Sequence, residues 1–224
     1  MIVFVHGFIT AGTENHGIFV RAARSANERG YSTVLFDFEG TGYSDGNYEQ
    51  FRITSAITDL AVVARQSLAE APCDGRVVLF GQSLGSALAL VAQEQLSELV
   101  GGLVLWNLSA NFAERYPRLF GLSPDADGPQ CVDKGYVVGA DFLKDAATVD
   151  VLSYAYGLQC PTLMLNCIGD GVGDISIADQ AARRASRISP LLVRLPATHS
   201  FTCQRQLESE AVNVSLDWLD NTFA

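Results

Sequence analysis

Between residues 76 and 96 the chain runs from a strand through a Gly-x-Ser-x-Gly turn straight into a helix, and this stretch limits the fold more than any other. Arg76-Val77-Val78-Leu79-Phe80 is short, apolar and β-branched, the signature of a buried strand. Gly81-Gln82-Ser83-Leu84-Gly85 follows, and Ser86 to Leu96 has the composition of a helix. In that setting the pentapeptide is a nucleophile elbow: the tight turn strains the backbone at Ser83 and lifts its hydroxyl to the top of a sheet. Gly81 and Gly85 are needed because a Cβ at either would collide with the neighbouring strand and helix. The pentapeptide alone is common, so the rest of the chain has to supply its partners.

The remainder alternates strand and helix. Ile2 to Val5 is a continuous apolar run that ends in His6-Gly7-Phe8. From Gly17 to Arg29, Phe19, Ala22, Ala23 and Ala26 recur at helical spacing, with Gly30 as C-cap. A second strand is expected over 33–38, running into a Gly-rich loop at 39–46, and a helix over Ile53–Leu68. A strand over 102–107 follows the elbow helix. Later come a strand at 161–166, a helix over 177–188, a strand at 190–195 and a closing helix from about Gln204 to Leu219. Strands that are apolar throughout and alternate with helices predict an α/β fold with a mostly or wholly parallel sheet of about six strands, covered on both faces.

The alternation breaks over 108–158, which carries Pro117, Pro124, Pro129 and many aromatics. An insertion of this length predicts a lid or binding segment. The expected organisation is one core domain, 1–107 with 159–224, and a lid at 108–158. Tyr136, Phe142, Tyr154 and Tyr156 could stack on an aromatic acyl group, but for most of them the lid's own small core is the preferred reading.

The 224 residues, 48% of them hydrophobic, suffice for one domain with a full core. A formal net charge of −10 argues against nucleic acid or an anionic membrane as partner. Five scattered cysteines without any Cys-x-x-Cys fit reduced thiols in a cytoplasm. Three histidines, none near a cysteine cluster, argue against zinc, and neither cofactor nor metal is expected. No basic segment followed by an apolar one precedes Ile2, so no signal peptide is expected, and no apolar run is long enough to span a bilayer.

A serine hydroxyl needs a base to take its proton and a third group to orient that base. Partners of an elbow serine follow in the order acid, then histidine. His199, in the loop Leu195-Pro196-Ala197-Thr198-His199, is the one histidine after Ser83 and sits past a strand end, where open α/β sheets place their sites. Asp170 and Asp174 are the two candidate acids, although Asp beside Gly is also an ordinary turn residue. Backbone N–H groups are expected to hold the oxyanion, one from Leu84 at the helix N-terminus and one from Phe8 after the first strand. His6 is expected to be structural, holding that turn.

These pieces together resemble the α/β-hydrolases, in particular serine esterases related to cinnamoyl and feruloyl esterases and serine aminopeptidase-like hydrolases. The matching segments are Val5 to Phe8, Asp37 to Gly46, Gly81 to Gly85, Pro161 to Leu165 with Asp170, and Leu195 to His199, in the family's order along nearly the whole chain. The resemblance implies Asp170 as the acid, through Cys167-Ile168-Gly169-Asp170, although Cys167 replaces the family's glycine. It also implies Phe8 and Leu84 as oxyanion donors, and a lid after the sixth strand that maps onto 108–158. Relatives generally have two strands before the His-Gly strand. Their absence here would leave the strand at 33–38 as an exposed edge, an aggregation or pairing liability that a second subunit could cover in a homodimer.

The function expected is therefore a serine hydrolase that cleaves small-molecule carboxylic esters through an acyl-enzyme. Thioesterase, amidase or peptidase and acyltransferase activities use the same site and stay open, as does a binding protein on a retired hydrolase fold. A dehalogenase is disfavoured because its nucleophile would be Asp, and position 83 is Ser.

Overall fold

The computed structural model describes residues 1–71, 75–169 and 171–223. Its centre is a six-stranded sheet made of β1 (Ile2–Val5), β2 (Thr33–Leu35), β3 (Val77–Gln82), β4 (Val100–Trp106), β7 (Thr162–Cys167) and β8 (Leu191–Leu195), in the order β2-β1-β3-β4-β7-β8. Every pair in it is parallel. Five helices cover it: α1 (Ile18–Glu28), α2 (Ile53–Glu70), α3 (Leu84–Gln95), α6 (Ser176–Arg184) and α7 (Arg205–Phe223). The α/β fold and its six parallel strands are those the sequence predicts.

Strand side chains alternate between faces, and both faces are buried, which is why these strands read as unbroken apolar runs. Ile2, Phe4, Phe80, Trp106 and Leu165 pack with α1 and α7. Val3, Val5, Leu79, Leu105 and Met164 face the other way, against α2, α3 and α6.

Two expectations are corrected. The strand predicted at 33–38 ends at Leu35. Beyond it the Asp37 carboxylate takes the Gly12 N–H at 2.6 Å and the Tyr43 N–H at 2.8 Å, and the Phe38 N–H goes to His6, so these amides serve a loop instead of a ladder. β2 does form an edge of the sheet, only three residues long. The helix predicted over 177–188 ends at Arg184.

The segment 108–158 has regular structure that was not expected. It holds α4 (Phe112–Phe120), a short hairpin of β5 (Gln130–Cys131) and β6 (Val137–Val138), α5 (Phe142–Ala146) and a 3-10 turn over Val151–Gly157. Asp145 of α5 ties it to the core: its carboxylate accepts the Ile53 N–H at 2.6 Å and also the Thr54 hydroxyl, capping α2 where Arg52 offers no side-chain cap. Among the described residues, Cys131, Cys160 and Cys203 are free thiols. None of the described helices is long and apolar enough to cross a membrane.

Candidate active site

Because the sheet is parallel, the carboxyl ends of β1, β3, β7 and β8 lie along one edge, and the loops that follow carry the candidate residues. Ser83 sits between β3 and α3 with φ 54° and ψ −119°, a conformation L-residues avoid. The strain is held by bonds at both ends of the residue. Its N–H donates to Trp106 O at 2.9 Å, and its carbonyl accepts the Ser86 and Ala87 N–H groups and the Ser86 hydroxyl. The two glycines have the role expected of them. A Cβ on Gly81 would overlap the backbone of Gly85, and one on Gly85 would overlap the carbonyl oxygen of Val5.

The turn after β1 is clamped at three points. Gly7 N–H donates to Glu14 Oε2 at 2.6 Å, Gly7 O accepts from His6 Nδ1 at 3.0 Å, and Ile9 N–H donates to the Tyr48 hydroxyl at 3.0 Å. The Phe8 amide stands between the two anchored amides of Gly7 and Ile9.

The structure places His6 as the structural residue expected: it is buried, and a carbonyl on one ring nitrogen leaves Nδ1 to donate. Nε2 then accepts the Phe38 N–H at 3.2 Å, so the ring is neutral. Burial, which penalises the charged form, lowers its pKa to about 4.

Ser83 and His199 line one cavity of about 170 Å3 at this edge. Phe8, Tyr116, Leu119 and Phe120 form its apolar wall, and Glu14 and Gln82 are also on its lining. Phe8 stacks on Phe142 at 5.3 Å and lies 4.7 Å from Tyr116, which joins the turn after β1 to the segment 108–158.

The His199 loop is fixed through its backbone. His199 O accepts from Gln82 Nε2 at 2.8 Å and from Asn107 Nδ2 at 3.0 Å, and the Thr198 N–H donates to Gln204 Oε1 at 2.7 Å. The loops after β7 and β8 are joined by Ile168 N–H to Leu195 O and by Gly169 N–H to Ala197 O.

Of the two candidate acids, Asp170 lies outside the described residues. Asp174 accepts the Ser176 N–H at 2.9 Å at the start of α6, and hydrogen bonds from the Ser176 side chain and backbone hold its carboxyl below the usual range. It lines clefts beside the Ser83 cavity.

The aromatics singled out from sequence have other places. Phe142 is fully buried, Tyr136 packs edge-on against Tyr48 at 4.6 Å, and Tyr156 is exposed with the Arg184 guanidinium over its ring. The cavity wall comes from Phe8 and from Tyr116, Leu119 and Phe120 of α4, inside the stretch expected to be a lid or binding segment, although no helix was expected there. Their signal was present: Phe112, Tyr116, Leu119 and Phe120 have the i, i+4, i+7, i+8 spacing of a helix face. Glu14, Gln82 and Asn107 had no comparable signal.

Comparison with known proteins agrees with this architecture. A structure of Est1E from Butyrivibrio proteoclasticus with ferulic acid bound superposes with a TM-score of 0.84 at 18% identity, covering 98% of this chain and 89% of that one. A monoacylglycerol lipase from Paleococcus ferrophilus gives 0.77 at 15% identity, covering 99% and 94%. Mouse α/β hydrolase domain-containing protein 10 gives 0.77 at 20% identity, covering 98% and 88%. No curated protein matches the chain. A family model described as serine aminopeptidase, S33, matches residues 1–121, which carry the turn after β1, the elbow and α4. The chain is an α/β-hydrolase and belongs to the serine aminopeptidase S33 family of hydrolases.

Proposed function

We propose that the protein hydrolyses carboxylic esters of small molecules through an acyl-enzyme on Ser83. The observation that carries this reading is Ser83 held at φ 54° on a strand–turn–helix, on one cavity with His199. His199 takes the hydroxyl proton as the Ser83 oxygen bonds to the acyl carbon. Asp170 orients the imidazole in this reading, and the Phe8 and Leu84 N–H groups take the oxyanion. Collapse of the intermediate breaks the carbon–oxygen bond to the alcohol, which leaves with the proton from His199. Water, deprotonated by the same histidine, then attacks the acyl carbon and releases the acid, and the proton returns to Ser83.

The segment 108–158 acts as the lid of this site, with α4 as the wall of the acyl pocket. That wall is supported by the places of Tyr116, Leu119 and Phe120 on the cavity. A cavity of about 170 Å3 is close to the ~150 Å3 that admits benzene, so it suits an acyl group of about one ring or a short chain. The test is hydrolysis of a panel of chromogenic acyl esters together with a hydroxycinnamate ester, by wild type and Ser83→Ala. Activity confined to the wild type and greatest for small acyl groups supports the reading, and full activity in Ser83→Ala overturns it.

A further inference from the structure

We infer that Gln82 and Asn107 are positioning residues that together brace the His199 loop against the ends of β3 and β4. Both side-chain amides donate to one acceptor, the His199 carbonyl, at 2.8 and 3.0 Å. Asn107 has a second task, since its Oδ1 accepts the Cys167 N–H at 2.7 Å. One side chain thus joins the end of β4, the end of β7 and the loop after β8. The inference rests on reading His199 as the general base.

Three features separate this arrangement from ordinary loop packing. Gln82 is 1% exposed and immediately precedes Ser83, so nucleophile and histidine loop are tied by a residue with almost no freedom. Its Oε1 is buried with no hydrogen-bond partner among the described residues. A swapped amide would point that oxygen at the His199 carbonyl, so the bond to His199 dictates the orientation and leaves the other atom unsatisfied. Asn107, 4% exposed, sits at φ 50°, a region that asparagine tolerates better than most residues. That conformation carries the side chain from β4 to both neighbouring loops. A histidine ring misplaced by about 1 Å loses on the order of 100-fold in rate, so a brace on its backbone bears on turnover without touching substrate.

The test combines hydrogen exchange of the full chain with steady-state kinetics on the best ester of the panel. Asn107→Asp keeps the acceptor for Cys167 N–H and loses the donor to His199. Asn107→Gly loses both and relieves the φ of 50°. Gln82→Leu removes the other donor at similar volume. Exchange over residues 196–203 is expected to quicken at least about tenfold in all three variants, and at Cys167 in Asn107→Gly alone. kcat is expected to fall about 10- to 100-fold, with KM within about twofold.

Unchanged exchange over 196–203 overturns the inference, and so does an equal acceleration throughout the molecule. So does a kcat that stays at the wild-type value while the loop opens. Hydrolysis that survives Ser83→Ala overturns the reading of the site and not the brace, because exchange reports the loop without reference to turnover.

Discussion

The carboxylate of Glu14 accepts the Gly7 N–H at 2.6 Å, seven residues back along the chain. Glu14 is buried, held at φ 56°, and its other oxygen takes both the backbone and side-chain N–H of Asn15. Asn15 in turn reaches the Ser200 hydroxyl at 3.3 Å, beside His199. One acid therefore links the turn that carries Phe8 to the loop that carries the histidine.

Every partner named for Glu14 is a donor, so the position requires acceptors on both oxygens. Glu14→Gln would turn an NH2 toward a backbone N–H and break one contact of the clamp. The variant is expected to lose about 1–3 kcal/mol of stability and about tenfold in kcat. Urea unfolding and ester kinetics measure the two effects. Wild-type values for both would mean that the turn is held without this carboxylate.

Gly85 shows the steric limit of the elbow. Its missing Cβ would overlap the Val5 carbonyl oxygen, a ladder atom of the central sheet that cannot move aside. Gly85→Ala is expected to cost more than about 3 kcal/mol, in the range of severe core overpacking. Gly30 is the control. It has φ 90° with open space where a Cβ would stand, so Gly30→Ala meets only backbone strain of about 1–2 kcal/mol. Thermal unfolding of the two variants gives the comparison, and similar losses would refute the steric account.

Sequence legibility followed the length scale of the interactions. β1, β3, β4 and β7 were readable because both their faces are buried, which leaves a local apolar run. The elbow was readable because all its parts lie within twenty residues. β2 was overextended because Phe36 and Phe38 keep the apolar pattern of a strand while the intervening Asp37 is spent on a loop. α4 was hidden by Pro117, which lies inside it, although its apolar spacing was intact. The supports of His199 were invisible for another reason. Gln82 and Asn107 bind a backbone carbonyl 117 and 92 positions away, and a carbonyl has no sequence signature.

Paired variants of the two candidate acids distinguish them. Asp174 has a local structural bond, its carboxylate accepting the Ser176 N–H in the turn that leads into α6. Asp174→Ala is therefore expected to lose about 0.5–2 kcal/mol of stability, with kcat/KM within a few-fold of wild type. Asp170→Asn is expected to keep stability and lose about 10,000-fold in kcat, the effect of a wrong histidine tautomer in a serine triad. The reverse pattern would move the acid to Asp174.

His6 predicts how stability varies with pH. The unfolded chain takes up its proton near 6.5, while the buried ring resists it down to about 4. Between these values the unfolded state binds more protons, so stability falls as pH falls. At pH 5 most carboxylates are still ionised, and the loss from this one group relative to pH 7 is about 2 kcal/mol. His6→Asn keeps a donor for Gly7 O and carries no titrating ring. It is expected to be less stable at pH 7, because the Phe38 N–H loses its acceptor, and to lose less stability on going to pH 5. Urea midpoints of both proteins at the two pH values measure the difference between their slopes. Equal slopes would mean that His6 takes up its proton in the folded state as readily as in the unfolded one, and the neutral ring between Gly7 and Phe38 would have to be abandoned.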